Sequence, residues 1–245
     1  MMLLLCAAAV SIKYDIHTAP FHPRIHNFGN TGFFGAIHAA GAPLATKIID
    51  LVAYDGRNMR RELADLLVDR YAPSSKVVEV GCGVGTLTRE LQAVGFVDVT
   101  ALDTSKQMIA VATAECAARA ASAAAPESPE PTFVTLNAVE VGERFPGSDV
   151  AIACMLAHEL PKLANYELLK SLIEATAPSG DVWIVDIAPT YKPSPTMLSG
   201  EPFVLEYLSS FQEVVDKVSN HMHLKHESFE LVPDHVIAHV LSRMR

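Results

Sequence analysis

Between Val77 and Leu91 the chain reads VVEVGCGVGTLTREL: a β-branched run carrying one acid, Glu79, then Gly81, Gly83 and Gly85, then helix formers. Glycine admits positive φ and puts no Cβ in the way of an approaching ligand. A helix that begins just after such a turn aims its free N–H groups at an anionic group. Eighteen residues beyond Gly85, the segment DVTALD ends on Asp103. An acid at the end of the next strand can accept hydrogen bonds from both hydroxyls of a ribose. A nucleoside ligand accounts for both features; a tight strand-to-helix turn without a ligand accounts only for the glycines. No GKS or GKT is present, which excludes a phosphate-loop site, and GCGVGT departs from the dinucleotide fingerprint at its third glycine.

A second group of candidates lies near the N-terminus, in YDIHTAPFHPRIHNFGN. Tyr14, His17, His22, His26 and Asn27 can converge on a substrate. Imidazoles bind zinc, but here only Asp15 accompanies the H-x4-H-x3-H spacing, so no metal is expected. Residues 13–35 have no sustained period, yet carry Tyr14, Phe21, Phe28, Phe33 and Phe34. Aromatics in an irregular, weakly charged segment predict a lid that orders over a bound ligand. Cys6, Cys82, Cys116 and Cys154 form no CxxC pair and read as reduced thiols. Cys82 has no base partner discernible in the sequence and reads as a small packing residue of the glycine loop.

The elements that must hold these residues alternate. Residues 36–71 are helical with a break at Tyr54-Asp55-Gly56, APSS punctuates, and KVVEV is a strand. TLTRELQAVG is a helix closed by Gly95, DVTALD a strand, and SKQMIAVATAECAARAASAAA a helix followed by the Pro-rich linker PESPEP. TFVTLNAVEV and SDVAIACML read as strands, NYELLKSLIEATAPSG as a helix stopped by glycine, and DVWIVDIAP as a buried strand. HLKHESFELVPDHVIAHVLSRM alternates as an antiparallel closing pair. Strands alternating with helices predict an α/β fold, a parallel sheet covered on both faces. Two units are expected: a lid and helical extension over 1–70, and a ligand-binding domain over 71–245.

The charge of −9 over 245 residues, with no Lys/Arg cluster, argues against nucleic acid as the main partner. MMLLLCAAAV is too short to span a bilayer and lacks a basic leader, so no membrane insertion is expected. A cytoplasmic protein is expected, with a clipped targeting segment as the alternative.

EVGCGVG matches every fixed position of E/D-x-G-x-G-x-G, the first motif of the class I S-adenosylmethionine-dependent methyltransferases, and the sequence resembles that family over residues 76–190. ALDTS looks like its ribose motif, LNAVEV like its adenine segment, SDVAIACMLAHELP like its fourth motif, and APSGDVWIVDIAP like the strand after it. The resemblance implies a doubly wound, mostly parallel seven-stranded Rossmann-like sheet with an antiparallel C-terminal pair. It also implies S-adenosylmethionine as cofactor and S-adenosylhomocysteine as product. Glu79, Gly81, Gly83 and Gly85, with Cys82 among them, would line the methionine and ribose end. Asp103 would take the ribose hydroxyls, and Thr104 would lie beside the adenine. Asn137 and Ala138 would meet the adenine amino group, Asn137 standing where the family has Asp, and Met155 would sit near the methionine portion.

HELP followed by IAP and EPFVLEYLSSF is similar to the small-molecule, quinone-biosynthesis-like subgroup. His158 would then be a general base or would orient the acceptor, assisted from the lid by Tyr14 and His26; Glu159 and Glu201 are weaker candidates. The alternative for His158 is a helix-start residue bonded to backbone. A small-molecule acceptor and a monomer or homodimer are expected. Methylation of a protein or peptide, or cofactor binding without turnover, are the alternatives; an NAD-dependent dehydrogenase is disfavoured by the missing third glycine.

Overall fold

The computed structural model describes residues 32–122 and 129–244. Two helices come first, α1 (Gly32–Ala53) and α2 (Met59–Arg70), separated by a turn in which Asp55 and Gly56 take positive φ. Then follow β1 (Lys76–Val80), α3 (Thr86–Ala93), β2 (Asp98–Asp103), α4 (Lys106–Ser122), β3 (Thr132–Thr135), α5 (Val141–Arg144) and β4 (Ser148–Cys154). The chain closes with α6 (Lys162–Ala175), β5 (Thr176–Ile187), α7 (Pro195–Gly200), α8 (Val204–His221), β6 (Leu224–Val232) and β7 (Val236–Arg243).

The seven strands form one sheet in the order β3-β2-β1-β4-β5-β7-β6. Five are parallel, and β7 runs antiparallel between β5 and β6. The chain winds outward from β1 to β3, then restarts at β4 beside β1 and winds the other way. That reversal opens a crevice at the carboxyl ends of β1 and β4.

Alternation along each strand divides the core in two. Val78 and Val80 of β1, with Ala151, Ala153, Val182 and Ile184, pack against Leu168 and Leu172 of α6 and Phe211 and Val215 of α8. Val77, with Val150, Ile152, Trp183 and Val185, packs against Met59, Leu63 and Leu67 of α2 and Leu87 and Leu91 of α3. Helix α2 thus shares the core of the sheet, and its packing crosses the boundary expected at residue 70. Burial on both faces explains why the parallel strands read as unbroken apolar runs.

Three expectations need adjusting. The strand expected over 132–141 ends at Thr135, because the Asn137 side chain accepts the Val139 N–H and starts a 3-10 turn over 138–140. The helix expected to run to Gly180 ends at Ala175; the Thr176 hydroxyl donates to the Ile173 carbonyl, and β5 starts there. A Cβ on Gly180 would lie 2.6 Å from the Ser148 carbonyl oxygen, so that glycine permits close approach of β5 to β4. Of the segment 13–35, residues 32–35 belong to α1, and residues 13–31 lie outside the described residues.

Candidate functional site

The crevice at the strand reversal is a cleft of about 330 Å³. Its floor is the loop between β1 and α3. Gly81, Gly83 and Gly85 all take positive φ there, +66°, +52° and +71°. The loop is tied down by Cys82 N–H donating to Leu102 O (3.0 Å) and Gly85 N–H donating to Cys82 O (2.9 Å). A Cβ on Gly83 would meet nothing within 4 Å, so the loop leaves open space where a ligand can approach the backbone. Gly85 does something else: it precedes α3, and a Cβ there would press on Ala112 at 3.0 Å. It serves the turn and the packing of α4, away from the cleft wall.

Asp103 reaches the same loop. One carboxylate oxygen accepts Gly83 N–H (2.9 Å) and the other Ser105 N–H (2.8 Å), which fixes the plane of the group at the cleft edge. Thr104 and Ala138 line the cleft beside it, Thr104 exposed. Asn137 is buried; its Oδ1 caps the 3-10 turn, and its Nδ2 has no partner. A buried donor without an acceptor costs about 1–3 kcal/mol, so this corner of the cleft favours a ligand acceptor atom. Cys82 is buried and its thiol is pushed up by that burial, which keeps it protonated and un-nucleophilic.

Strand alternation sends Glu79 to the same face as Val77, toward α2 and α3. It is 2 % exposed, accepts a hydrogen bond from the Thr88 hydroxyl (2.6 Å), and borders the cleft. Burial raises its carboxyl to about 7, partly opposed by the Thr88 bond and by the positive field of Arg60. Arg60, on α2, also lines the cleft. Nothing in the amphipathic run RNMRRELADLLVDRY distinguished it from its arginine neighbours.

The opposite wall is built by the end of β4 and the 3-10 turn over 157–159. Met155 lines the cleft in a left-handed conformation at φ +57°, a costly geometry for a residue with a side chain. His158, 5 % exposed, is clamped by Asp186 of β5. The His158 backbone N–H donates to one Asp186 oxygen (3.1 Å) and its Nδ1 pairs with the other (2.6 Å). Asp186 is fully buried and also accepts Ile187 N–H (2.7 Å). Desolvation lowers the affinity of the imidazole for a proton, but the charge and hydrogen bond of Asp186, with Glu159 and Glu201, outweigh it and raise His158 to about 9. With Nδ1 committed to Asp186, Nε2 is the ring nitrogen left for the cleft.

Asp186 escaped sequence reasoning, although the signal was present: an acid inside the apolar run VWIVDIAP needs a buried partner. Ligand atoms of His158, Glu159 and Glu201 lie within 4.8 Å of one another, which sets two carboxylates beside the imidazole. Tyr14 and His26, expected to assist from the lid, lie outside the described residues, as do His17, His22 and Asn27. Among the described residues of the N-terminal side, Ala42 and Thr46 of α1 line the cleft. No helix among the described residues is long and apolar enough to cross a membrane.

A family model described as a methyltransferase domain matches residues 54–233. A comparison with curated proteins finds no match. Solved structures match across nearly the whole fold. A TehB-like SAM-dependent methyltransferase from Corynebacterium glutamicum is 18% identical with a TM-score of 0.59, over 85% of this chain and 99% of that one. Magnesium protoporphyrin IX methyltransferase from Synechocystis with bound SAH is 16% identical with a TM-score of 0.57, over 94% and 93%. The plantazolicin methyltransferase BamL, in complex with a triazolic desmethylPZN analog and SAH, is 13% identical with a TM-score of 0.57, over 86% and 95%. At these identities the likeness to solved structures carries the fold.

Proposed function

The chain belongs to the class I S-adenosylmethionine-dependent methyltransferases, and from that premise we propose that it moves the methyl group of S-adenosylmethionine to a small-molecule acceptor at the His158 wall of the cleft. The observation that carries this reading is that the glycine loop, Asp103 and His158, which Asp186 holds through its Nδ1, border one cavity at the strand reversal.

The residues present fit the cofactor. Asp103, its plane set by Gly83 and Ser105, presents its carboxylate at the cleft edge, where ribose hydroxyls can donate to it. Asn137 offers its unpartnered Nδ2 to the base and therefore suits a ring nitrogen better than the amino group. Glu79 and Arg60, side by side at the methionine end, match an ammonium and a carboxylate. Bound there, the cofactor supplies an electrophilic methyl carbon on a sulfonium.

The protein's own work is mainly orientation. Holding acceptor and methyl in line removes much of the entropic barrier to a bimolecular displacement. Asp186 fixes the His158 ring, so that Nε2 faces the acceptor and can take its proton.

Binding is tested by thermal shift and calorimetry with S-adenosylhomocysteine against NAD, since a ligand of the native state adds stability by mass action. A rise in Tm with the former alone is expected; no shift at millimolar concentration would overturn the proposal. A methyl-transfer screen over acids, phenols, amines and thioethers then identifies the acceptor atom.

A further inference from the structure

Resting on that reading of the site, we infer that Asn165 is a positioning residue for the methyl transfer: from α6 its amide fixes the turn that carries His158, and so sets where the imidazole meets the acceptor. The turn cannot hold itself. It has three residues, and Leu156 before it provides no side-chain cap. Its own bonds run from Glu159 N–H to Leu156 O and from Leu160 N–H to Ala157 O, both at 3.1 Å. Bonds of the 3-10 type are poorly aligned, and short runs of them are weak. Met155, just ahead, sits in a strained left-handed conformation. What keeps this stretch in one shape must come from outside it.

Two side chains supply it. Asp186 takes the donors, the His158 N–H and the ring Nδ1. Asn165 takes the acceptors. Its Nδ2 donates to Ala157 O (2.9 Å) and to Leu160 O (3.1 Å), the carbonyls that bracket His158 and Glu159. Asn165 is itself held, 1 % exposed in the first turn of α6, with its backbone N–H donating to Pro161 O (3.0 Å). Because both side-chain partners are carbonyls, they fix which end of the amide is nitrogen.

The other end of that amide, Oδ1, is buried and has no partner among the described residues. A bare buried acceptor destabilises the fold, and leucine, of nearly the same shape, would not carry one. What asparagine adds is two N–H donors on one neutral group; an ionised aspartate has none and a serine one. The two carbonyls lie one residue before and two residues after His158, so a shift of either turns the imidazole. A displacement of about 1 Å at a reacting group can cost about 100-fold in rate. Among the described residues, the titratable groups facing the ring are Asp186 from β5, Glu159 in the turn, Glu201 after α7, and Tyr207 of α8, edge-on at 6.4 Å. Asn165 is neutral, so its loss changes the proton affinity of His158 only through geometry.

The test follows the His158 imidazole by NMR in the full chain, labelled with carbon-13 in histidine and loaded with S-adenosylhomocysteine. The resonance is assigned by its disappearance in His158→Gln. In the parent it should titrate at about 9. Asn165→Leu keeps the bulk and removes the donors; its midpoint should fall by about one pH unit or more, a roughly tenfold loss of proton affinity, as the ring slips from Asp186. Asn165→Ala carries the same comparison if leucine prevents folding. Ser171→Ala is the control: it removes a different buried bond of α6, to the Gly142 N–H (3.0 Å), and should leave the midpoint in place. Affinity for S-adenosylhomocysteine should be unchanged in all of them. A loaded Asn165 variant that titrates with the parent overturns the inference. An equal shift in Ser171→Ala overturns it too, because loosening of α6 would then suffice. Failure of S-adenosylhomocysteine to bind the parent overturns instead the methyltransferase reading on which the inference rests.

Discussion

Glu79 lets function be separated from stability. Its carboxyl rises from 4.5 to about 7, chiefly because it is buried between β1 and α3. Each pKa unit corresponds to about 1.4 kcal/mol, so the rise amounts to roughly 3 kcal/mol of native-state destabilisation whenever the group must be ionised. The sign follows from proton counting. Between pH 4.5 and 7 the native state holds the proton and the unfolded state has lost it, so stability falls as pH rises through that window. Above pH 7 the full cost is present. Glu79→Gln keeps the shape and the Thr88 partner but removes the charge. It should therefore be more stable than the parent at pH 8 by up to about 3 kcal/mol, or roughly 6–12 °C in Tm for a chain of this size, and close to equal at pH 4.5. In the same variant S-adenosylhomocysteine should bind at least about tenfold more weakly at pH 8, because the charge facing its ammonium is gone. Denaturant unfolding and calorimetry from pH 4.5 to 8 measure both. A variant less stable than the parent at pH 8, or one with an undiminished pH slope, would refute the view that Glu79 carries an unfavourable charge for the sake of a ligand.

Asp103→Ala should weaken S-adenosylhomocysteine by about 1–3 kcal/mol, seen as a roughly 5- to 150-fold rise in Kd, since it removes the ribose acceptor and frees the Gly83 N–H; an unchanged Kd would move the ribose elsewhere. Gly83→Val has room for its side chain within the protein but not beside a ligand. It should fold with a loss of about 1–2 kcal/mol for the left-handed backbone and show no cofactor binding by calorimetry. Asp186→Asn should leave cofactor affinity intact, lower turnover, and bring the rising limb of the pH–rate profile below the parent's value near 9, because the imidazolium loses its counter-charge. A pH profile that does not move would reduce Asp186 to a packing role. Deleting residues 1–30 should cut turnover far more than Tm if the segment is the lid; full activity in the truncated chain would remove that role.

The local sequence determined the strands, most of the helices and the glycine loop that borders the cleft. Val77 to Gly85 could be read without a fold because its signals are short-range: apolar runs buried on both faces, glycines at backbone positions with positive φ, and an acid at the end of the following strand. Even there the three glycines looked alike, and only the packed structure separates Gly83, which faces open space, from Gly85, which faces Ala112. Where side chains compete with the backbone, as at Asn137 and Thr176, element ends moved by several residues. The His158 wall of the cleft was only partly legible: the sequence singles out His158 but not its buried partner Asp186. His158 and Asp186 are 28 residues apart and meet because β4 and β5 pair in register, with Cys154 opposite Val185. Arg60 and Glu79 come together because α2 packs on the odd-numbered face of β1. Charge placement in a cleft is a sum over distant segments, and only the tertiary structure performs that sum.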